Sequence, residues 1–516
     1  MTSLKKIFFH VVLIVLSFAF VYVFSYSTSF GYDSLGGDSA IFQAIGKGWT
    51  QDYLPYVDLF DHKGPLIFLV NAIGYMIYPR SGIMVPQVVC LYLSCLFIWR
   101  AMELYSSSRS WKIFFMLFTM IYYAAHYEEG NHVEEYNVLF LSAAAYCFLR
   151  SLKENNFRPL YGFVYGLGFG ACFMNRISDS AQICCQVFLV AVFLLQVRDF
   201  KTLWQNVLSF GAGFVAIVLP FVIYFAAYDA LYDMFYGTIL FNLKYVAYDK
   251  VYLTLGEKII YNSLHFLPLF IMIIVALFGL KENPKSRLLL SGIFIGVMLA
   301  FLMMSLRPFG HYALILFATI PILFAVLQEA NGALKKFIEA PHMSTGRIII
   351  KFLVILFIFH FVAHILYLKA LLLLEPTTIT RLFSSYPKNA EIVYPNEQEN
   401  ILNLQALIPD AERKSFVIWA NFNIGSHWIL RTDMIPRQRL FRNNSQDSRI
   451  DPRLREEFFN DLHRDYPLWI LYGSESQLPD DSTNAPELEQ LLAEKYLLKG
   501  EAFIFPQTVK LYRLKE

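Results

Sequence analysis

Apolar runs of about twenty residues recur along the sequence, and this feature constrains the fold more than any other. A helix of that length crosses the hydrocarbon core of a bilayer, which is about 30 Å thick. Only 16% of the 516 residues are charged and 56% are hydrophobic, whereas soluble domains carry about 25% charged residues. We therefore expect a polytopic α-helical membrane protein with about eleven transmembrane helices. The predicted spans are about 7–25, 84–104, 113–126, 136–152, 159–175, 181–197, 206–228, 259–280, 288–305, 311–328 and 348–372.

The distribution of Lys and Arg predicts the orientation of these spans. Lys5 and Lys6 precede the first span, and every second loop after it is basic. Cytoplasmic loops are enriched in Lys and Arg, so the N-terminus is expected inside. An odd number of spans then places the C-terminal region on the opposite face. The expected location is the cell inner membrane, with that region on the periplasmic side.

Two segments outside the spans have their own predicted structure. The first external loop, residues 27–83, is too apolar for a flexible linker, and Ser39–Lys47 and Pro65–Ile77 are typical of helices lying along the membrane interface. After about residue 375, charges and prolines become frequent. We expect a transmembrane domain over 1–374 and a small external α/β domain over 375–516.

The C-terminal domain is expected to combine short buried strands with a helix and a hairpin. Ser415–Ala420 and Trp469–Tyr472 are short β-branched or aromatic runs. Ala485–Tyr496 has a helical pattern. Ala502–Phe505 and Val509–Arg513 follow it and predict a hairpin.

Cysteine usage and charge argue against disulfides, a zinc site and a nucleic-acid partner. All six cysteines lie in apolar stretches, so neither a disulfide framework nor a zinc site is expected. The net charge is +2, and no basic stripe stands out that would bind a nucleic acid.

Charged groups are concentrated in the predicted external loops. The first loop contains Asp38 after two glycines and then the string Tyr56–Leu66, and the second loop contains Glu128–Asn137. Carboxylates close to the hydrocarbon are costly unless they bind a cation, act as a base or form an ion pair. The alternative for any one of them is a solvated loop charge.

Three motifs in order resemble those of the GT-C glycosyltransferases, in particular the group containing protein O-mannosyltransferases and lipid A aminoarabinose transferases. The first is Asp38 followed by Tyr56-Val57-Asp58-Leu59-Phe60-Asp61-His62-Lys63-Gly64-Pro65-Leu66. The second is Gly130-Asn131-His132-Val133-Glu134-Glu135-Tyr136, and the third is Phe309-Gly310-His311-Tyr312. The resemblance covers roughly residues 5–375. It implies transfer of a sugar from a polyprenyl-phosphate carrier to a glycan, lipid or protein acceptor outside.

The carrier phosphate needs a cation near the membrane surface, because a charged hydrogen bond to phosphate is stronger than a neutral one. Lys63 is the first candidate, and its alternative role is a lysine that snorkels to the interface. The further candidates are Arg307, His311 and Arg176, where Arg176 takes the place of a lysine common in the family.

The resemblance also implies catalytic and sugar-binding residues. Asp38 is the candidate base that accepts the proton of the acceptor, in a single displacement that inverts the anomeric centre. Glu134 and Glu135 would orient it, bind sugar hydroxyls or share a divalent cation such as Mg²⁺ or Mn²⁺. Ser39 follows Asp38 where many relatives have a second acidic residue, which leaves metal binding open. The remaining candidates for substrate binding are Asp58, Asp61, His62, Asn131 and Tyr136.

A transporter or lipid-linked-sugar flippase is the main alternative, because it too needs many spans and charges within the membrane. It predicts ionisable residues at mid-span and broken helices in matched halves of the chain. The sequence has no internal repeat, and most of its charges lie in external loops. These features favour the enzyme.

Overall fold

The computed structural model describes residues 3–248, 292, 296, 310–339, 396–476, 485–504 and 506–516. It divides into two compact units. Among the described residues, unit one comprises 3–25, 86–223, 292, 296 and 310–339, and unit two comprises 26–85, 224–248 and everything from 396 onward. The predicted spans at 259–280 and 348–372, most of 288–305, Arg307 and the predicted domain boundary at 374/375 lie outside the described residues.

Long apolar helices dominate the described part of the chain up to residue 339. Five of them are long and apolar enough to cross a membrane, which confirms a multi-pass membrane protein. Six of the eight spans predicted within the described ranges form within a few residues of the expected positions. The helix predicted at 206–228 begins six residues earlier, at Phe200, and the span predicted at 311–328 begins as a 3₁₀ segment and continues eleven residues further, to Glu339. The helices are α1 Ser3–Phe24, α2 Asp38–Trp49, α3 Pro65–Ile77, α4 Met84–Glu103, α5 Arg109–Ala125, α6 Val133–Glu154, α7 Pro159–Phe173, α8 Ala181–Gln196, α9 Phe200–Ala227, α10 Leu231–Phe235, α11 Phe241–Tyr248 and α12 Ile320–Glu339. A 3₁₀ segment, Gly310–Thr319, leads into α12, and a π-helical turn, Tyr236–Leu240, joins α10 to α11.

Within unit one, α7 and α9 approach each other along a stripe of glycines. Gly162, Gly166 and Gly170 are spaced four residues apart and therefore share one face of α7. A Cβ atom at Gly166 would overlap the backbone of Phe210 on α9, and one at Gly162 would overlap that of Asn206. Small residues at this spacing let the backbones of two membrane helices pack closely. Such packing stabilises helix association within a bilayer, where removal of apolar surface from water supplies no driving force.

Residues 27–83, predicted as the first external loop, form the two predicted helices, α2 and α3, inside unit two. Pro65 starts α3, because its fixed φ suits the first helical position and its missing N–H is not needed there. Every residue of α2 from Ser39 to Gly48 is buried, and a Cβ at Gly46 would overlap Asn71 and Ala72 of α3. α3 exposes Ile73, Met76 and Ile77, so the apolar face that remains uncovered belongs to α3.

The C-terminal part of unit two is the predicted small α/β fold. A four-stranded sheet has the order β1-β2-β4-β3, with β1 parallel to β2 and the other two pairings antiparallel. Phe60 of the first loop lies in the same hydrophobic cluster as Trp419 and Phe458, so this loop is part of the core of the unit. The elements are α13 Glu397–Gln405, β1 Phe416–Trp419, α14 Ile424–Thr432, α15 Asn444–Ile450, α16 Pro452–Arg464, β2 Trp469–Ser476, α17 Pro486–Lys495, β3 Tyr496–Ile504 and β4 Gln507–Leu514.

The predicted start of β3 was wrong by six residues. The strand begins at Tyr496, directly after α17, and not at Ala502. It is the edge strand of the sheet, and Leu497 and Leu498 are about half exposed. Because no regular alternation of buried and exposed side chains marks its first half, the sequence carried no strand signal there.

Candidate functional site

In unit one, Glu135 holds the connection between α5 and α6. Its carboxylate accepts hydrogen bonds from the N–H of Asn131 at 2.7 Å, from Gln87 Nε2 at 3.0 Å and from the hydroxyl of Tyr127. Tyr136 donates to Asn131 Oδ1 at 2.7 Å. These residues are buried, so Glu135, Asn131 and Tyr136 fix the backbone of the loop that carries the second motif.

The neighbouring Glu134 points to a different partner. About 100° separates successive side chains on a helix, and the Glu134 carboxylate pairs with the guanidinium of Arg176. Arg176 Nε lies 3.8 Å from Asp179 Oδ1, and the guanidinium lies 3.6 Å from the centroid of the Tyr312 ring. Asp179 is in turn fixed by Asn137 Nδ2 at 2.8 Å. Arg176, predicted as a phosphate ligand, is therefore a firmly oriented cation.

Two histidines and a carboxylate form a second part of this cluster. The rings of His132 and His311 stack, with centroids 4.0 Å apart and planes at 3°. Glu128 Oε2 lies 2.7 Å from His311 Nδ1, and Glu128 Oε1 accepts a hydrogen bond from the His311 N–H at 3.2 Å. Burial would raise the pKa of Glu128, but the hydrogen bond and charge of His311 outweigh it and lower the pKa to about 2. Imidazole nitrogens and a carboxylate are donors that divalent metals accept.

In unit two, the Tyr56–Leu66 string folds into a tight loop closed by its own side chains. Asp58 Oδ2 accepts from the N–H of Leu54 at 2.6 Å, and Tyr56 donates its hydroxyl to the Lys63 carbonyl at 2.8 Å. Asp61 Oδ1 accepts from the N–H of Lys63 at 2.8 Å. Asp58 and Tyr56 are therefore loop-forming residues, and the half-buried Lys63 is held at the end of the loop.

Asp61 and His62 meet an arginine from the C-terminal part of the unit. Arg442 Nε lies 3.0 Å from Asp61 Oδ2, and its Nη2 lies 3.1 Å from both Asp447 Oδ1 and His62 Nδ1. Lys63 Nζ lies 3.2 Å from His62 Nε2. Burial would lower the pKa of Arg442, but the negative charges of Asp447, Asp61 and Asp38 raise it. The guanidinium therefore stays charged among the carboxylates of this cluster.

Asp38 is the first residue of α2 and follows a turn at two glycines. Gly37 is the N-cap residue, so Asp38 does not serve as the helix cap. Gly36 has a φ of +74°, a conformation that glycine adopts without strain. Its carbonyl oxygen lies 2.8 Å from His427 Nε2, in α14. The structure therefore fixes the turn before Asp38 from the C-terminal part of unit two.

Sequence reasoning missed Glu128, Arg442, Asp447 and His427 as members of these clusters. Glu128 stands two residues before the Gly130 motif, and its acidic character was the one signal available. Arg442 is 380 positions from His62, and no local pattern marks such a pairing. Arg307, predicted as a phosphate ligand, lies outside the described residues.

Comparison with solved structures identifies the fold. The chain is similar to ArnT from Cupriavidus metallidurans bound to undecaprenyl phosphate, with 12% sequence identity over 99% of this chain and 98% of that chain and a TM-score of 0.54. This likeness confirms the GT-C-like membrane architecture that the motifs predicted. No family model and no curated protein matches the sequence.

Two oligosaccharyltransferase structures from Archaeoglobus fulgidus are also similar. The chain matches AglB in complex with an inhibitory peptide and a dolichol-phosphate at 12% identity, over 91% of this chain and 70% of that one, with a TM-score of 0.42. It matches an apo form at 14% identity, over 92% and 70%, with a TM-score of 0.49.

Proposed function

We propose that the chain is a membrane glycosyltransferase that moves a sugar from a polyprenyl-phosphate-linked donor to an acceptor on the external face of the membrane. The similar fold of ArnT, whose structure contains undecaprenyl phosphate, supports a lipid-phosphate carrier. The three motifs in family order support the transfer reaction. The observation that carries the proposal is the oriented guanidinium of Arg176, held by Glu134 and Asp179 and stacked on Tyr312.

Arg176 suits a phosphate ligand because its orientation is set before the ligand binds. Its Nη1 pairs with Glu134 and its Nε faces Asp179. Among the described residues its Nη2 makes no hydrogen bond, so both Nη2 protons can be donated to phosphate oxygens. A guanidinium held in this way loses little conformational entropy when it binds. His311, Lys63 and Arg307 are the further proposed phosphate ligands.

The reaction we propose is a single displacement at the anomeric carbon. The acceptor oxygen or nitrogen forms a bond to that carbon as its bond to the phosphate oxygen breaks, and the electron pair leaves with the polyprenyl phosphate. Asp38 takes the proton of the acceptor. We propose Asp58, Asp61, His62, Asn131 and Tyr136 as substrate-binding residues, and we expect inversion of the anomeric configuration.

Glu128, His132 and His311 are the candidate residues for a divalent cation, but because the two imidazole rings are parallel and stacked, only one of them can direct its ring lone pair at a given ion. These residues bring two imidazoles and a carboxylate together at the start of α6. A bound cation would neutralise charge on the leaving phosphate. Incubation with a chelator before a transfer assay tests this: inhibition that added Mn²⁺ or Mg²⁺ reverses supports the cation, and unchanged transfer contradicts it.

Transfer from labelled donors in reconstituted membranes tests the proposed function. The purified chain is assayed against a panel of polyprenyl-phosphate sugars, and binding of undecaprenyl phosphate is measured in parallel. Arg176→Gln should weaken lipid binding about 10- to 150-fold, since a lost charge-assisted hydrogen bond costs about 1.5–3 kcal/mol.

Arg158→Gln is the matched control, because Arg158 is about half exposed and pairs with Glu154 at the other end of α6. It should leave binding unchanged. A transporter or flippase instead predicts movement of a labelled lipid or solute across proteoliposomes with no new glycosidic product. That result would replace the proposed function.

A further inference from the structure

A buried histidine from the C-terminal part of unit two contacts the turn that carries Asp38. His427 lies in α14, and about 5% of its surface is exposed. Its Nδ1 is 2.9 Å from Glu397 Oε2, and its Nε2 is 2.8 Å from the carbonyl oxygen of Gly36. Asp38 follows two residues later. The imidazole therefore connects a carboxylate of α13 with the backbone directly before the proposed base.

Both neighbours of the imidazole are hydrogen-bond acceptors. A carboxylate and a backbone carbonyl offer no proton, so His427 must donate from both ring nitrogens to satisfy them, and only the imidazolium has two N–H groups. Burial alone would lower the pKa of His427, but the charge of Glu397 and the hydrogen bonds to Glu397 and Gly36 outweigh it and raise the pKa. The two acceptors and the raised pKa both favour the protonated form.

The surrounding charges are balanced around this imidazolium. Glu397 Oε1 lies 3.6 Å from Arg431 Nε, and Arg431 Nη1 lies 2.6 Å from Asp33 Oδ1. At the C-terminal end of α14, Lys47 of α2 donates to the Ile429 carbonyl at 2.9 Å and pairs with Asp433. The charged groups that act directly on His427 are thus Glu397 and Arg431. Arg431 pairs with Asp33, and Lys47 pairs with Asp433.

We propose that His427, held by Glu397, is a positioning residue that fixes the Gly36–Asp38 turn and with it the Asp38 carboxylate for sugar transfer. This inference rests on the proposed function, in which Asp38 accepts the proton. Gly36 needs a positive φ, and its carbonyl is held in that turn by the imidazolium. A misplacement of about 1 Å at a reacting group can cost about 10²-fold in rate.

Deprotonation of His427 should release the turn. A neutral imidazole keeps one proton, and the stronger, charge-assisted bond to Glu397 retains it on Nδ1. The lone pair of Nε2 then faces the lone pairs of the Gly36 carbonyl oxygen. Because the pKa of His427 in the folded protein is raised, the positioning effect is present at lower pH and is lost as pH rises through that raised pKa.

Three variants test the role of the imidazole, each as the full-length chain in membranes. Glu397→Gln keeps an acceptor at Nδ1 without its charge, so the pKa of His427 should fall. His427→Gln keeps a donor toward Gly36 and removes the titration. His463→Gln is the control, because His463 is exposed on α16 and contacts only aromatic rings among the described residues.

The first measurement is the single-turnover rate of transfer at saturating donor as a function of pH. In the wild type the rate should fall at alkaline pH. Glu397→Gln should shift that fall to lower pH and reduce the rate about 10- to 100-fold at pH 8, with donor affinity unchanged. His427→Gln should flatten the alkaline fall. Overlapping pH profiles for wild type and Glu397→Gln would overturn the inference.

The second measurement is hydrogen exchange of the peptide that covers the Gly36–Asp38 turn, and it needs no enzymatic activity. Protection there, corrected for the intrinsic increase of amide exchange with pH, should fall as pH rises in the wild type, fall at lower pH in Glu397→Gln, and match the wild type in His463→Gln. Unchanged exchange in Glu397→Gln would overturn the inference. If no donor supports transfer by the wild type, the proposed function fails while the exchange experiment still decides whether His427 fixes the turn.

Discussion

Replacing Arg442 by methionine removes a buried cation that contacts both Asp61 and Asp447. Both carboxylates are about 2% exposed at the side chain and Arg442 is 5% exposed. Two charges about 4 Å apart attract by about 4 kcal/mol at an effective dielectric constant of about 20, and part of that offsets the cost of burying them. Removal of one partner from a buried ion pair costs about 3–5 kcal/mol, because uncompensated charge remains. Arg442→Met should therefore lower the free energy of unfolding of unit two by about that amount.

The loss should depend on pH. Burial raises the pKa of Asp447 to about 6, even though Arg442 lowers it. A carboxyl whose pKa is raised above its unfolded value of about 3.9 contributes stability that is fully present below that value and lost as pH rises through about 6. Without Arg442, burial acts unopposed and Asp447 takes up its proton at higher pH. Arg442→Met should therefore cost less stability at pH 5 than at pH 8.

Urea unfolding followed by tryptophan fluorescence measures this effect, because Trp419, Trp428 and Trp469 are buried around the sheet of unit two. Arg437→Met is the matched control: Arg437 pairs with Asp465, which is 75% exposed, and an exposed pair contributes about 0–1 kcal/mol. The reasoning is refuted if both variants lose the same stability.

A triple variant separates buried charge from lost packing. Arg442→Met combined with Asp61→Asn and Asp447→Asn removes all three charges and keeps similar shapes. It should recover most of the stability lost in the single variant and show no pH dependence between about 4 and 6 from this cluster. A triple variant as unstable as Arg442→Met alone would show that the packing of the guanidinium, and not its charge, is what matters.

Three further predictions concern the loops that carry the motifs. Gly130→Ala should lower the midpoint of thermal unfolding, because Gly130 has a φ of +78° and a Cβ there would overlap Ser25, whereas Gly211→Ala in the open middle of α9 should leave it unchanged or raise it slightly. Asp38→Asn should reduce turnover about 10²- to 10⁴-fold while donor binding survives; near-normal turnover would remove Asp38 from the reaction. Lys63→Ala should weaken donor binding, by about 1.5–3 kcal/mol, more than it slows turnover of bound donor, and an unchanged affinity would exclude a phosphate contact.

Much of the fold could be predicted because its signals are local. Apolar runs gave the spans within the described ranges, and Pro65 gave the start of α3. The hairpin of β3 and β4 followed from two apolar runs around Pro506. The start of β3 could not be predicted, because an edge strand exposed on both faces lacks the alternation that reveals strands.

The types of residue in the candidate site could be predicted from the sequence, but the residues they contact could not. Glu134 and Glu135 are adjacent and equally acidic, yet one orients Arg176 and the other holds the loop at Asn131. That difference comes from the 100° step of the helix at α6 and from which elements surround it. The sequence specifies the 100° rotation between the two side chains. Which elements surround them depends on contacts between residues far apart in the chain.

Unit two shows what such distant contacts add to the charged motifs of the first loop. Asp61 requires a buried cation, since an isolated carboxylate in that position would be costly, and Arg442 supplies it from 381 residues later in the numbering (442 − 61). The Gly36 turn likewise requires a donor for its carbonyl, and His427 supplies it. Asp61 and the Gly36 turn are thus each one half of an interaction whose other half lies after residue 396. Truncation of the C-terminal part would therefore remove the sheet and would also leave unpaired charge in the first loop. This dependence argues that the two segments fold together as one unit.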